Sequence, residues 1–254
     1  MVEWKSTKAA VYRAKSGALK PVFDIDGVEL KDLLHIEDQK RALYENTQRF
    51  LEGKSASHAL LWGSRGTGKS SLVKALLNRF YEEGLRVVEI FREDLRALPD
   101  ISDEIRGEPY RFIIFCDDIS FEAGDASYKA LKSVIEGSIE LPPKNVLVYA
   151  TSNRRHMIPE FHTDNEGTIV KSGEIHYSDA VEEKISLSDR FGLWLSFYQG
   201  TFSEYLEIVD SYFPHLDEEK RALVHTAAKR YAGLRASRSG RTARQFFELF
   251  GDKF

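Results

Sequence analysis

Apolar positions recur along this chain in two rhythms. From Ile36 to Leu51, the stretch IEDQKRALYENTQRFL carries Ile36, Leu43, Tyr44, Phe50 and Leu51 at helical spacing, which predicts an amphipathic helix. HALLW then reads as a short strand. SSLVKALLNRF puts Leu72, Val73, Leu76, Leu77 and Phe80 on one face and predicts a second helix. LRVVEIF reads as a strand. RFIIFC and NVLVYAT are continuous apolar runs, as expected of strands buried on both faces. Between them a helix is predicted around ASYKALKSVIEG, closed by Gly137. GLWLSFY is a last strand. Strands alternating with helices indicate an α/β class with a parallel sheet.

Beyond Gly200 the pattern changes. FSEYLEIVDSYF, DEEKRALVHTAAKRYA and GRTARQFFELF predict three helices with no strand between them. The expected organisation is a lead-in arm over residues 1–30, an α/β domain over 31–199 and a small helical domain over 200–254. The polar stretch around 156–183 reads as a long loop or insertion. The arm carries Lys5, Lys8, Arg13, Lys15 and Lys20. It reads as a solvated segment or as a contact to nucleic acid or to a neighbouring subunit.

Composition narrows the function classes. A net charge of −4 gives no global basic field of the kind a dedicated nucleic-acid binder carries. The single cysteine, Cys116, excludes an internal disulfide framework and fits a reducing compartment. No window reaches membrane-spanning length, and the first residues lack a signal-peptide core. A cytoplasmic protein without membrane partners is expected.

The chemistry concentrates in GSRGTGKSS, Gly63 to Ser71. Gly63, Ser64, Arg65, Gly66, Thr67, Gly68, Lys69 and Ser70 fit the pattern G-x-x-x-x-G-K-[ST] between a strand and a helix. Glycines let backbone N–H groups turn inward onto phosphate oxygens, and the helix that begins here offers its free N–H groups and positive dipole end. Lys69 is placed to reach the β- and γ-phosphates of a nucleotide, and Ser70 to ligate Mg²⁺. FIIFCDD ends a buried strand on two carboxylates. Asp117 would hold the metal's water shell, and Asp118 would orient or deprotonate the attacking water, with Glu122 as the rival base. In VLVYATSN, any of Thr151, Ser152 or Asn153 can lie beside the terminal phosphate.

In this order, the glycine loop, the acidic strand, ATSN, LSDRFG and a helical tail with SGRTARQF resemble the AAA+ superfamily of ATPases. LLWGSRGTGKSSLVKALL, RFIIFCDDISFE, YATSNRRHMIPE and EKISLSDRFGLWLSF are similar to a bacterial branch of predicted AAA+ ATPases, over roughly residues 30–250. The resemblance implies a five-stranded parallel sheet flanked by helices, followed by a helical lid. It implies ATP and Mg²⁺ as ligands, and a homo-oligomeric ring or spiral, often a hexamer. It implies that Asn153 senses the γ-phosphate and that Arg190 is a finger reaching a neighbouring subunit's ATP. Arg241 would be a second sensor on the lid, with Arg244 as the alternative, and His35 and Ile36 would line the adenine. Two features depart from the family. The strand ends in Asp117-Asp118 rather than Asp-Glu, and the loop carries Arg65. Both bear on the hydrolysis rate rather than on binding.

His156, His162 and His176, with Asp164 and Glu166, lack compact metal-ligand spacing and read as a solvated loop. Cys116 and Trp62 read as packing residues. Three functions compete: an ATPase that remodels a protein or nucleic-acid partner, a slow nucleotide-dependent switch or loader on DNA, and a small-molecule P-loop kinase. The kinase fits SDRFG and the helical tail least. Phe121 and Tyr128 are aromatic candidates for contact with a translocated polymer. The polar insertion and the lysine-bearing arm are the expected partner-binding parts.

Overall fold

The computed structural model describes residues 2–120, 128–137, 139–153, 169–171, 174–176 and 187–254. Its main sheet contains β1 (Ala9–Arg13), β2 (Ala18–Val22), β3 (Ala59–Gly63), β4 (Leu85–Ile90), β5 (Arg111–Cys116), β6 (Val146–Ser152) and β9 (Leu193–Phe197). The strand order is β2-β1-β4-β5-β6-β3-β9. All neighbours are parallel except the β1–β2 hairpin. A short antiparallel ribbon, β7 (Ile169–Lys171) with β8 (Glu174–His176), lies within the polar insertion. His156, His162, Asp164 and Glu166 fall outside the described residues, as do Phe121 and Glu122.

The five expected parallel strands are β4, β5, β6, β3 and β9, but the sheet has seven. The lead-in supplies the other two, which corrects its reading as a solvated arm. Trp4 is buried edge-to-face on Phe112, with ring centroids 4.8 Å apart. The buried Arg86 donates to the carbonyls of Trp4 (2.8 Å), Tyr81 (3.1 Å) and Leu85 (2.8 Å). Its guanidinium lies between the rings of Tyr81 and Tyr110, at 4.3 and 4.1 Å. A buried cation is tolerated where its donors are satisfied, and here it ties residues 2–5 to the end of the sheet. Pro21 and Lys20 sit on the outermost strand, where a missing N–H and a charge discourage further pairing.

The helices are α1 (Glu37–Leu51), α2 (Lys69–Phe80), α3 (Leu98–Ile105), α4 (Tyr128–Glu136), α5 (Phe202–Ser211), α6 (Glu218–Arg235) and α7 (Gly240–Phe250). The central strands are covered on both faces. Phe112, Ile114 and Cys116 of β5 join one apolar cluster, and Ile113 and Phe115 join the other with Leu72 and Leu76 of α2. This is why β5 reads as a continuous apolar run. Helices α5, α6 and α7 close a separate core around Tyr205, Val224 and Phe246. Among the described residues no helix is long and apolar enough to cross a membrane.

Candidate functional site

The strand order reverses direction at β3, between β6 and β9, and ligands of open α/β sheets sit at the carboxyl ends of strands near such a reversal. A cleft of about 880 Å³ opens there. One wall is the glycine loop from Arg65 to Ser71, and the floor is the tips of β5 and β6. The remaining walls are the 33–36 segment and the α5–α7 unit.

The loop is shaped by its backbone. Gly63 has φ +124°, and a Cβ there would lie 2.0 Å from the Phe197 carbonyl oxygen, so only glycine fits against β9. Ser64 N–H donates to that same oxygen at 2.8 Å, and Thr67 Oγ1 donates to Ser64 O at 2.8 Å. Gly68, at φ +96°, starts α2, whose first N–H groups face the cleft. Lys69 is 7% exposed. Its Nζ donates to the carbonyls of Gly63 (2.8 Å) and Ser64 (2.7 Å) and to Asn153 Oδ1 (3.4 Å). Burial pushes its pKa down to about 8, opposed by Asp118 and Asp117 and reinforced by Arg241 and Arg65.

The acidic tip is organised around one oxygen. Asp117 Oδ1 accepts from Ser70 Oγ and from Thr151 Oγ1, both at 2.6 Å. Successive strand residues point to opposite faces, yet Asp117 and Asp118 both line the cleft. The cause is Asp118's left-handed backbone, φ +50°, a conformation aspartate tolerates better than most residues. It is held by Asp118 N–H donating to Thr151 Oγ1 at 2.7 Å and by Asn153 Nδ2 donating to Asp118 Oδ1. Of the three candidates at the tip of β6, Thr151 and Asn153 line the cleft, while Ser152 is fully buried.

The other expected residues fall into two groups. His35, Ile36, Ser71, Arg241 and Arg244 line the cleft. His35 has φ +60° and faces Glu207 of α5, Nε2 to Oε2, at 3.2 Å. Arg241 N–H donates to Gly66 O at 3.3 Å, and Arg244 pairs with Glu248 at 2.8 Å. Gly63 and Ser64 lie behind the cleft and turn their carbonyls to Lys69. Arg190 does not line the cleft; its guanidinium pairs with Glu136 of α4. Glu122 lies outside the described residues. Arg238, Ser239, Tyr205 and Tyr212 also line the cleft and were not anticipated. For Arg238 and Ser239 the signal was the arginine-rich stretch from Arg235 to Arg244; Tyr205 and Tyr212 carry none in the sequence. Cys116 is buried and its thiol is pushed up to about 12, by burial first and Asp117 second, so it is a packing residue.

Among curated proteins, the replication factor C large subunit of Staphylothermus marinus is 28% identical over 115 residues, which cover 42% of this chain and 26% of that one. The match thus spans about a quarter of that relative's length. Among solved structures, the FIGL-1 AAA domain in complex with ADP matches with a TM-score of 0.58 at 15% identity, covering 91% of this chain and 76% of that one. The Aeropyrum pernix ORC1 protein in complex with DNA matches with a TM-score of 0.57 at 17% identity, covering 87% and 61%. At such identities the likeness establishes the fold alone, which is that of the FIGL-1 AAA domain. The model of one family matches residues 5–253, the whole sheet and the helical unit together, and the chain belongs to that family, described as "Protein of unknown function (DUF815)".

Proposed function

We propose that the cleft binds ATP with Mg²⁺ and that the chain hydrolyses it to ADP and phosphate, coupling the nucleotide state to assembly and remodelling of a macromolecular partner. The observation that carries this is the convergence of Lys69, the Ser70–Asp117 pair and the Asn153–Asp118 pair on one glycine loop. Loop N–H groups and Lys69 suit the phosphates, and Ile36 with Tyr212 offers apolar surface for the base. The metal fits its donors. Ser70 Oγ and Asp117 Oδ1 are hard oxygens 2.6 Å apart, and a Mg²⁺ that keeps waters and phosphate oxygens needs few protein ligands. When bound, the ion neutralises charge on the phosphate oxygens.

Asp118 takes a proton from the attacking water as its oxygen bonds to the γ-phosphorus. The bridging P–O bond breaks and leaves its electron pair on ADP. Asn153 holds Asp118 in place. Arg241 moves with the α5–α7 unit, which acts as a lid. Arg190 serves a neighbouring copy of the chain in a ring or spiral, a role supported by its position outside its own cleft. A slow switch or loader acting on DNA is the second reading. The shorter Asp118 in place of glutamate favours it, and so does the likeness to ORC1, whose structure contains DNA.

Titration with a fluorescent ATP analogue tests the site. Lys69→Ala should weaken binding roughly 100-fold, the scale of a lost charge-assisted contact of about 3 kcal/mol. An affinity within about threefold of wild type would sink the assignment. ATPase rates with single-stranded DNA, duplex DNA or neither, read alongside mass in solution with ATP, separate the two roles.

A further inference from the structure

We propose that Arg65 is a catalytic arginine supplied from within the chain, donating to the oxygens of the γ-phosphoryl group as it transfers; this rests on the reading of the cleft as an ATP site.

Three other cations at the cleft are engaged. Arg244 pairs with Glu248 at 2.8 Å, Lys74 with Asp26 at 3.3 Å, and Arg238 stacks over the Phe202 ring at 5.1 Å. Arg65 lines the cleft, is exposed, and among the described residues its side chain makes no hydrogen bond or ion pair. Its backbone is nonetheless fixed on both sides. Ser64 is held by Phe197 O, and Gly66 O accepts from Arg241 N–H at 3.3 Å. A long side chain thus leaves an anchored loop with its guanidinium uncommitted.

Two observations aim it at the phosphates. Arg65 lines the same cleft as Lys69, the group that marks the phosphate position, and as Asp118 and Arg241. The two arginines also spring from adjacent points, since Arg241 N–H is bonded to the residue next to Arg65. Together they present two planar donor forks to a group whose negative charge spreads over several oxygens during transfer. In the step, water oxygen bonds to the γ-phosphorus and its proton goes to Asp118. The bridging bond to the β-phosphate breaks, and the electron pair stays on ADP. Arg65 requires neither a neighbouring copy nor movement of the α5–α7 unit. Arg190 pairs with Glu136 and does not line its own cleft. The expected consequence is turnover that persists in the isolated chain.

The test compares wild type, Arg65→Ala and Arg65→Lys in Mg·ATP hydrolysis over a range of protein concentrations. Equilibrium binding of ADP, with and without aluminium fluoride as a mimic of the transferring phosphoryl group, is measured alongside. Arg65→Ala should lower kcat about 100-fold at every concentration, the scale of a lost preorganised donor. ADP affinity should change less than about threefold, while the aluminium fluoride complex weakens about 100-fold. Arg65→Lys should recover little of either loss, because an ammonium lacks the fork. A kcat within threefold of wild type in Arg65→Ala, or a rise in KM with kcat unchanged, overturns the role of Arg65 and leaves the ATP site standing. A wild type that binds no ATP overturns both.

Discussion

The α5–α7 unit meets the glycine loop at Gly66, and that contact can be perturbed with a single methyl group. In Gly66→Ala the backbone stays at φ +75°, where an L-residue is strained by about 1–2 kcal/mol. The new Cβ would lie 2.6 Å from Ser239 Oγ, 3.0 Å from Arg241 Cβ and 3.1 Å from Ser239 Cβ. Ser239 cannot give way freely. It caps α7 by accepting from Thr242 N–H at 3.3 Å, and it is tied to the hydroxyls of Ser237 (3.2 Å) and Thr242 (3.0 Å). Overpacking of this kind costs about 1–3 kcal/mol. The expected total is therefore about 2–5 kcal/mol if the contact holds, or less if the unit swings off the loop. Gly68→Ala is the control. It sits at φ +96° with its nearest atom, Ile36 Cδ1, at 3.4 Å, so it carries the backbone strain and little else. Urea unfolding of Gly66→Ala, Ser239→Ala and the double variant reads the coupling. Trimming Ser239 removes the closest clash, so the double variant should recover about 1 kcal/mol relative to additivity. Additivity within about 0.5 kcal/mol, with Gly66→Ala no worse than Gly68→Ala, would refute the docking argument.

Asp118→Asn should keep Mg·ATP affinity and lower turnover at least about 100-fold; an unaffected rate in steady-state assays hands the proton to Glu122. His58 Nδ1 accepts from Val148 N–H at 2.9 Å, and burial holds its pKa near 4 against 6.5 in the unfolded chain. As pH falls below 6.5 only the unfolded chain takes up this proton, so stability present at neutral pH is lost, by about 2 kcal/mol between pH 7 and pH 5. A His58 ring resonance titrating near pH 6.5 would contradict this. Arg86→Leu strips the donor from three carbonyls and loosens residues 2–5, with an expected loss of about 2–3 kcal/mol in urea unfolding. A loss below about 0.5 kcal/mol would mean the lead-in is not held there.

What the sequence makes legible follows from how local its cause is. The α2 face repeats every three to four residues, and β5 is apolar throughout because both of its faces are covered, so both elements are readable. Which of Thr151, Ser152 and Asn153 meets the cleft stays open in the sequence; packing decides it by burying Ser152. The lead-in hairpin is different. Its strands are five residues each, β2 contains Pro21, and Lys20 is exposed, so nothing local marks a strand. Pairing with β4 and the burial of Trp4 create it. Likewise the left-handed turn at Asp118, which brings both carboxylates to the cleft, depends on Thr151 and Asn153 from another strand. Ser239 and Tyr212 enter the site only through packing of the α5–α7 unit.

Among the described residues, that unit touches the cleft wall of the rest of the chain at several points, one of them Arg238 N–H donating to Gln199 Oε1 at 3.3 Å. Glu207 faces His35 at 3.2 Å on the 33–36 segment, and Ser239 and Arg241 sit on Gly66 of the phosphate loop. The first is an ion pair only when His35 is protonated, and the second is a short contact backed by one hydrogen bond. An exposed ion pair of the first kind is worth about 0–1 kcal/mol. A ligand that spans from Ile36 to Arg241 adds contacts that exist only while the unit is docked, so it shifts the docked population by its differential affinity for the two arrangements. The reverse follows by linkage: whatever grips the unit from outside changes ligand affinity by the same factor. Communication between the cleft and a partner therefore needs no long pathway through the sheet. The α5–α7 unit is itself the element that both can bias.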